Sequence, residues 1–458
     1  MKKVVLFLLV GILVLAALPI VGNSVMQKNI ETRVSELESY GLKATQTKSK
    51  STYLTSSQHF EFVLKNADEF VNYLKKYSDQ QIPPYVNAML EGVVIGADLE
   101  YSNLPFSKAI ELDIYPLSVS PEMENAIKED SLELYSYIEK FLHSKGVLYH
   151  INYNIVSEDF DGYLKNINEK YTPKDGGVLT LTLKDATFKG NGELIAPNRM
   201  SSIIKELSLN VKKDSEIVTF KLVNLLSSTS TESKNTYLTS ADLENFTIAV
   251  DAKGENTNID MKNIHINVSS NAQGEFAELN SKSSIDSLTI ESQQLNMAMK
   301  KFNFDIATNG VDKKVYEELE ELISETKASG NMMLDEKIQK TVIELLSKGL
   351  VINIADFSVQ NITLDTTDNL QGFKIKSVLT LKEDKDFGKK LQMSPMMLIS
   401  NVEIQTDIRV SREIYAKLTK NRPIPPVVKE YMKEDGNDII FNISYLDGKA
   451  KVNGKPLR

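Results

Sequence analysis

Four histidines, His59, His143, His150 and His265, carry whatever imidazole chemistry this chain has. His59, His150 and His265 each fall on the polar side of a segment with strand alternation. His143 closes a helical pattern, where a cation suits the helix C-terminus. No pair has the H-x-x-x-H spacing that places two imidazoles on one helical turn of a metal site, and H-E-x-x-H does not occur. Glu111 and Asp113 share one strand face, near the separation of two glycosidase carboxylates, yet alternating acids are ordinary on a wetted strand. The absence of cysteine excludes disulfides, thiolate metal ligands and cysteine nucleophiles. No G-x-S-x-G elbow, phosphate-binding loop or G-x-G-x-x-G follows a strand. Gly176-Gly177 and Gly190-Asn191-Gly192 read as turns beside strands. The sequence therefore assigns no catalytic residue, no metal ligand and no cofactor, and the expectation is a protein that is not an enzyme.

The elements that must position these side chains are mainly strands. Phe60, Phe62 and Leu64 alternate with His59, Glu61 and Val63; Ile110, Leu112 and Ile114 alternate with Glu111 and Asp113. Tyr149, Ile151 and Tyr153 face away from His150 and Asn152. The same one-sided pattern recurs at Leu179/Leu181/Leu183, Phe220/Leu222, Phe246/Ile248, Ile264/Ile266, Phe302/Phe304 and Ile375/Leu379. Alternation marks antiparallel strands with one dry and one wet face, whereas parallel strands under helices read as continuous apolar runs. In Leu350 to Leu364 the apolar phase changes parity twice, which predicts a bulge or bend near Asp356 and Asn361. At the C-terminus, Ile439 to Tyr445 and Ala450 to Val452 flank Asp447-Gly448, the favoured centre of a two-residue hairpin. Leu446 then opposes Lys449, and Ile443 opposes Val452.

Helices are a minority: 67–77, 123–142, a hairpin of 312–327 and 334–348 turning at Gly330, and 411–420 before the rigid turn Arg422-Pro423-Ile424-Pro425-Pro426. Thr52-Tyr53-Leu54-Thr55-Ser56 returns as Thr236-Tyr237-Leu238-Thr239-Ser240, a short echo that could record duplication.

The N-terminus places the chain. Met1-Lys2-Lys3 precedes an uncharged apolar run from Val4 to Val21, about one bilayer core long at 1.5 Å per residue. The two lysines keep the short stub cytoplasmic and send the remainder across. A cleaved signal peptide is the rival, but Val21-Gly22-Asn23-Ser24 offers no A-x-A cleavage site. The fold class expected is mainly β (α+β): an N-terminal transmembrane helix, then an extended, mostly antiparallel amphipathic sheet body with helical hairpins. The expected divisions are a stub at 1–3, an anchor at 4–22, a helical neck and linker at 23–50, a β-rich domain at 51–310, a helical hairpin at 311–349 and a β-rich segment at 350–458. A net charge of −9 argues against nucleic-acid binding, which needs a basic face.

The run Ile439 to Gly454 resembles the terminal motif of the YdgA-like family of bacterial envelope proteins. The order of anchor, neck, alternating body, helical hairpin and strands is similar too. Where that family tends to carry Tyr followed by Arg-Gly, Tyr53-Leu54-Thr55 stands here. The resemblance implies an inner-membrane anchor with a periplasmic body in a Gram-negative cell, and it implies no catalytic residues. More distantly, the layout is similar to AsmA-like envelope proteins associated with lipid traffic, a likeness of layout only.

These readings converge on a non-enzymatic role in cell-envelope maintenance. A dry sheet face with few helices is covered either by an ordinary core or by a hydrophobic ligand such as lipid. For a ligand groove, strand parity nominates Leu179, Leu181, Leu183, Phe220, Leu222, Phe302 and Phe304. The alternatives are a scaffold for envelope protein partners and an envelope hydrolase, which would have to gather His59, His150 or His265 with a carboxylate in one cleft.

Overall fold

The computed structural model describes residues 23–457 apart from 78–84, 105–108, 174–175, 195–196, 234, 253–254, 273, 330–331, 365–366 and 420–425. The apolar run Val4–Val21, Gly330 and the turn at 422–425 lie outside the described residues. Among the described residues, no helix is long and apolar enough to cross a membrane. The chain divides into two compact units, Met1–Asp214 and Ser215–Arg458. Strand is the commonest secondary structure in each, and the strand pairings within each are antiparallel, as the alternation predicts.

Unit 1 begins with helix α1 (residues 23–39). It continues through β1 (Leu42–Ser51), β2 (Thr55–Leu64), α2 (Ala67–Tyr77), α3 (Tyr85–Leu90), β3 (Val94–Ser102) and β4 (Ala109–Ser118). Then come α4 (Pro121–Asp130), α5 (Leu132–His143), β5 (Tyr149–Asn154), β6 (Asp159–Leu164), β7 (Ile167–Tyr171), β8 (Val178–Gly192) and β9 (Pro197–Lys213). Strands β1 to β6 pair in chain order, and β6 and β7 lie end to end along β8, whose other edge takes β9.

Three expectations need correction here. Residues 43–50, read as a linker for want of apolar period, form β1: its backbone pairs Leu42↔Leu64 through Ser51↔Ser56, and an edge strand needs no apolar alternation to do so. Helix α1, read as a neck, lies on the dry face of the sheet, with Ile30, Val34 and Leu37 against Leu42, Phe60 and Phe62. The single helix expected at 123–142 is two. Ser131 is extended at φ −157°, returning its N–H to Ile127 O (2.7 Å) and taking the Leu134 N–H on its hydroxyl (3.1 Å), so it ends α4 and caps α5.

Unit 2 runs β10 (Glu216–Ser233), β11 (Thr236–Ala252), β12 (Glu255–Asn271), β13 (Phe276–Ser292), β14 (Asn296–Asp312), α6 (Lys313–Ser329), α7 (Met332–Ser347), β15 (Leu350–Leu364) and β16 (Thr367–Leu381). It continues with α8 (Phe387–Met393), a 3₁₀ turn (Pro395–Asn401), β17 (Val402–Ser411), α9 (Arg412–Leu418), α10 (Pro426–Tyr431), β18 (Lys433–Asp435), β19 (Asp438–Leu446), β20 (Lys449–Val452) and β21 (Lys455–Pro456). Strands β10 to β17 form a meander in chain order, and β19 closes on β17. The C-terminal hairpin has the expected register, Leu446↔Lys449 and Ile443↔Val452, with Asp447 and Gly448 both at positive φ as the turn demands. In β15 the register breaks between Ile354 and Phe357 and again between Ile362 and Leu364, near the two expected positions.

A feature the sequence reading missed organises the long strands. In unit 2, Asn224, Asn263 and Lys301 sit mid-strand in the left-handed region at φ 52°, 50° and 54°, on β10, β12 and β14. In unit 1, Asp185 on β8 does the same at φ 47°. The four recur at a spacing of about 39 residues, one per strand pair. Each marks the point where apolar parity changes: Leu183 to Ala186, Leu222 to Leu225, Met261 to Ile264, Met299 to Phe302. A residue that leaves the extended region re-aims the strand, so residues of opposite parity on its two sides can serve one face. Asp and Asn tolerate this backbone through their short polar side chains. The Thr-Tyr-Leu-Thr-Ser echo does not follow that spacing; its first copy forms the turn into β2 and its second lies within β11.

Candidate functional site

Register brings the chemistry-bearing residues of unit 1 into one row. Lys48, His59, Asp98, Asp113, His150 and Tyr163 are successive cross-strand partners on β1 through β6. They occupy the wet face, opposite Phe60, Phe62 and Leu64. His59 Nδ1 is 2.6 Å from Asp98 Oδ1, and its Nε2 is 3.4 Å from Glu61. His150 Nδ1 is 2.7 Å from Asp113, with its ring tilted over Tyr163 at 4.9 Å. Lys145, just after α5, donates to Asp98 Oδ2 at 2.5 Å and sits 4.2 Å above the Tyr115 ring. The buried Tyr115 hydroxyl donates to the same oxygen at 3.0 Å. Gly96 is required beside it, because a Cβ there would meet the Tyr115 ring at 2.4 Å.

Two acidic pairs stand directly opposed in this face, Asp98 against Asp113 and Glu100 against Glu111. Such pairs are unfavourable unless cations offset them. Burial pushes the Asp98 carboxyl up, but the hydrogen bonds from Lys145, His59 and Tyr115 outweigh it and hold the group below its ordinary value. Burial, then the bond to Asp98, pushes the Tyr115 phenol well up. The row opens into a cleft of about 480 Å³ that also reaches Lys50 and Glu111. His265, in unit 2, is likewise opposite an aspartate, Asp242, at 2.5 Å. All three strand histidines are thus half of a cross-strand His–Asp pair, a relation invisible without register.

The cleft does gather His59 and His150 with carboxylates. Among the described residues, neither imidazole is hydrogen-bonded to a hydroxyl that could act as nucleophile. No group of three or more His, Asp or Glu among them is placed to hold a metal ion. Asp113 is hydrogen-bonded to His150, and Glu111 lies directly across from Glu100. The row fixes charges of both signs on one sheet face.

The nominated groove residues separate. Leu181 and Leu183 pack with Ile167, Ala186, Phe141 and Val147 in a core of unit 1, and Leu179 lies opposite Tyr171 and Val211. Phe220, Leu222, Phe302 and Phe304 lie in unit 2 on rows that cross many strands. One row is Leu222, Phe246, Met261, Leu288, Met299, Ile362 and Leu370. Phe220 meets Phe246 at 5.5 Å, and Phe357 contacts Phe302, Phe304 and Phe373 at 6.2, 5.8 and 5.2 Å. Phe246, Phe302, Phe304, Phe357 and Phe373 stay half-buried, unlike Phe60 and Phe62 in unit 1. Helices α6 and α7 pack at the strand ends, where Tyr316 and Leu345 lie on Ala272, Ala277 and Val311. On the same rows Leu288, Val359 and Leu370 are buried, but among the described residues no buried apolar cluster is centred there. At about 3.3 Å per residue, strands of 17 residues make this face roughly 55 Å long.

The family is defined over these same strands. A family model described as bacterial protein of unknown function, DUF945, matches residues 163–422, more than half of the chain, and the chain belongs to that family. The match contains all four left-handed strand residues and the apolar rows, and of the polar row it contains only Tyr163. No curated protein and no solved structure matches the chain.

Proposed function

We propose that this chain is a membrane-anchored envelope protein, without enzymatic activity, that holds the acyl chains of a lipid along the apolar mid-strand face of unit 2. The observation that carries the reading is the half-buried aromatic and aliphatic surface of β10 to β16, whose rows run from Phe220 and Phe246 to Phe357 and Phe373. A scaffold with an ordinary core would bury these side chains, as unit 1 buries Phe60, Phe62 and Leu64. Residues Val4–Val21 supply the anchor in the cytoplasmic membrane, with the body in the periplasm, as the likeness to YdgA-like proteins also implies. The His–Asp row of unit 1 is a charge-compensated structural ladder, because both imidazoles bond to carboxylates and, among the described residues, neither Ser49 nor Ser57 of the cleft is hydrogen-bonded to them.

The test is site-specific photocrosslinking in growing bacteria. With the full chain carrying a benzophenone side chain at Phe246 or Phe304, lipid adducts are expected on the chain. At Thr247 or Asn303, on the opposite parity, they are not. Adducts to protein alone at Phe246 and Phe304 would replace the lipid with an envelope partner and favour the scaffold.

A further inference from the structure

The connection between β16 and β17 exposes an unusual amount of apolar surface. Met393 and Met396 are 75% and 71% exposed, and Met397 and Ile399 are also exposed. These four fall in the stretch Leu391 to Val402, which has no charged residue in a chain that is 25% charged. The exposure is built in. The base of the loop is tied by Lys382 N to Asn401 O (2.9 Å), and the Asp384 N–H is bonded to Ser347 O (2.8 Å). The Asp384 carboxylate takes Lys390 Nζ at 2.6 Å and the Asn401 amide, while Phe387 is buried beneath. These ties hold the loop as a structured excursion whose tip points its methionines outward.

We propose that this methionine tip inserts into the lipid bilayer and is the place where unit 2 meets the membrane from which it takes its ligand. The inference rests on the lipid-binding reading above. Three observations select a bilayer over a protein partner. The tip has no aromatic or arginine anchor, the residues that dominate protein interfaces. Its unbranched methionines adapt to an irregular apolar surrounding, and exposed Lys385 and Lys389, the latter paired with Asp386 at 3.1 Å, leave the residues 382–390 before it with one more lysine than acids, as at interfacial segments. The run Val4–Val21 of the same chain, as its anchor, keeps a bilayer within reach. The tip also joins the ends of two strands of the apolar sheet, Leu381 and Val402, which pair with each other.

The chain has no cysteine, so single labels are unambiguous. The full chain carrying Met396→Cys, labelled with nitrobenzoxadiazole, is reconstituted in phosphatidylethanolamine–phosphatidylglycerol vesicles containing nitroxide-tailed lipid. A second chain carries the label at Asp447→Cys, whose side chain is 85% exposed. The expected result is a blue-shifted emission at position 396 quenched several-fold more strongly than at 447. Equal quenching at both positions would overturn the proposal. So would a blue shift that the lipid nitroxide does not quench, which would mean that protein covers the tip. The Phe246 crosslink reports separately on the apolar face: adducts without quenching remove the tip alone, and quenching without adducts removes the groove alone.

Discussion

His59 Nδ1 lies 2.6 Å from the Asp98 carboxylate directly across β2 and β3, and Lys145 and Tyr115 reach the other oxygen of the same group. A carboxylate held below its ordinary value of 3.8 stabilises the fold in its ionised form. That contribution is complete above about pH 4 and is lost as the pH falls through the lowered folded-state value. Asp98→Asn should therefore cost about 1–3 kcal/mol near neutrality. The gap from the parent should narrow as the pH is taken below 4. Chemical denaturation at pH 7 and pH 3 measures both; a gap independent of pH would show that the charge plays no part.

Asn263 is held at φ 50° with its amide 3.0 Å from Asp286. A β-branched residue is poorly accommodated there, so Asn263→Val should lower stability by about 1–3 kcal/mol. Asn263→Gly, which keeps the backbone and loses only the amide contact, should cost clearly less. Denaturant midpoints of the two variants decide; equal losses would mean that the backbone angle is not what the position selects.

Ser411 is fully buried, accepts the Ile414 N–H at 3.2 Å to cap α9, and donates to Gln371 O on β16. Ser411→Ala removes both bonds and leaves the Gln371 carbonyl without that donor. The expected loss is about 1–2 kcal/mol, read as a lower melting temperature, with Ser411→Thr retaining part of the difference.

Much of this architecture is legible because alternation is a local signal. The dry positions Phe60, Phe62 and Leu64 and the Asp447-Gly448 hairpin need only their own neighbours. What was not legible depends on partners far along the chain. β1 is polar and exists through backbone bonds to β2, so no apolar period announces it. The His–Asp pairs need register, since Asp98 and His59 are brought together by a strand pairing that no spacing reveals. The left-handed residues did leave a trace, the change of apolar parity, which is as visible at Leu222 to Leu225 as in Leu350 to Leu364. Strand parity also overreached: it nominated Leu181 and Leu183, which the helix-covered side of unit 1 absorbs into a core.

Lipid on the mid-strand face of unit 2 is the central proposal. The direct measurement is native mass spectrometry, with lipid extraction, on residues 24–458 exported to a bacterial periplasm, beside the same body with Phe220→Asp and Leu222→Asp. The expected result is a stoichiometric phospholipid or lipopolysaccharide precursor on the parent and its loss from a variant that keeps the parent's circular dichroism. A folded parent body that is free of lipid would contradict it.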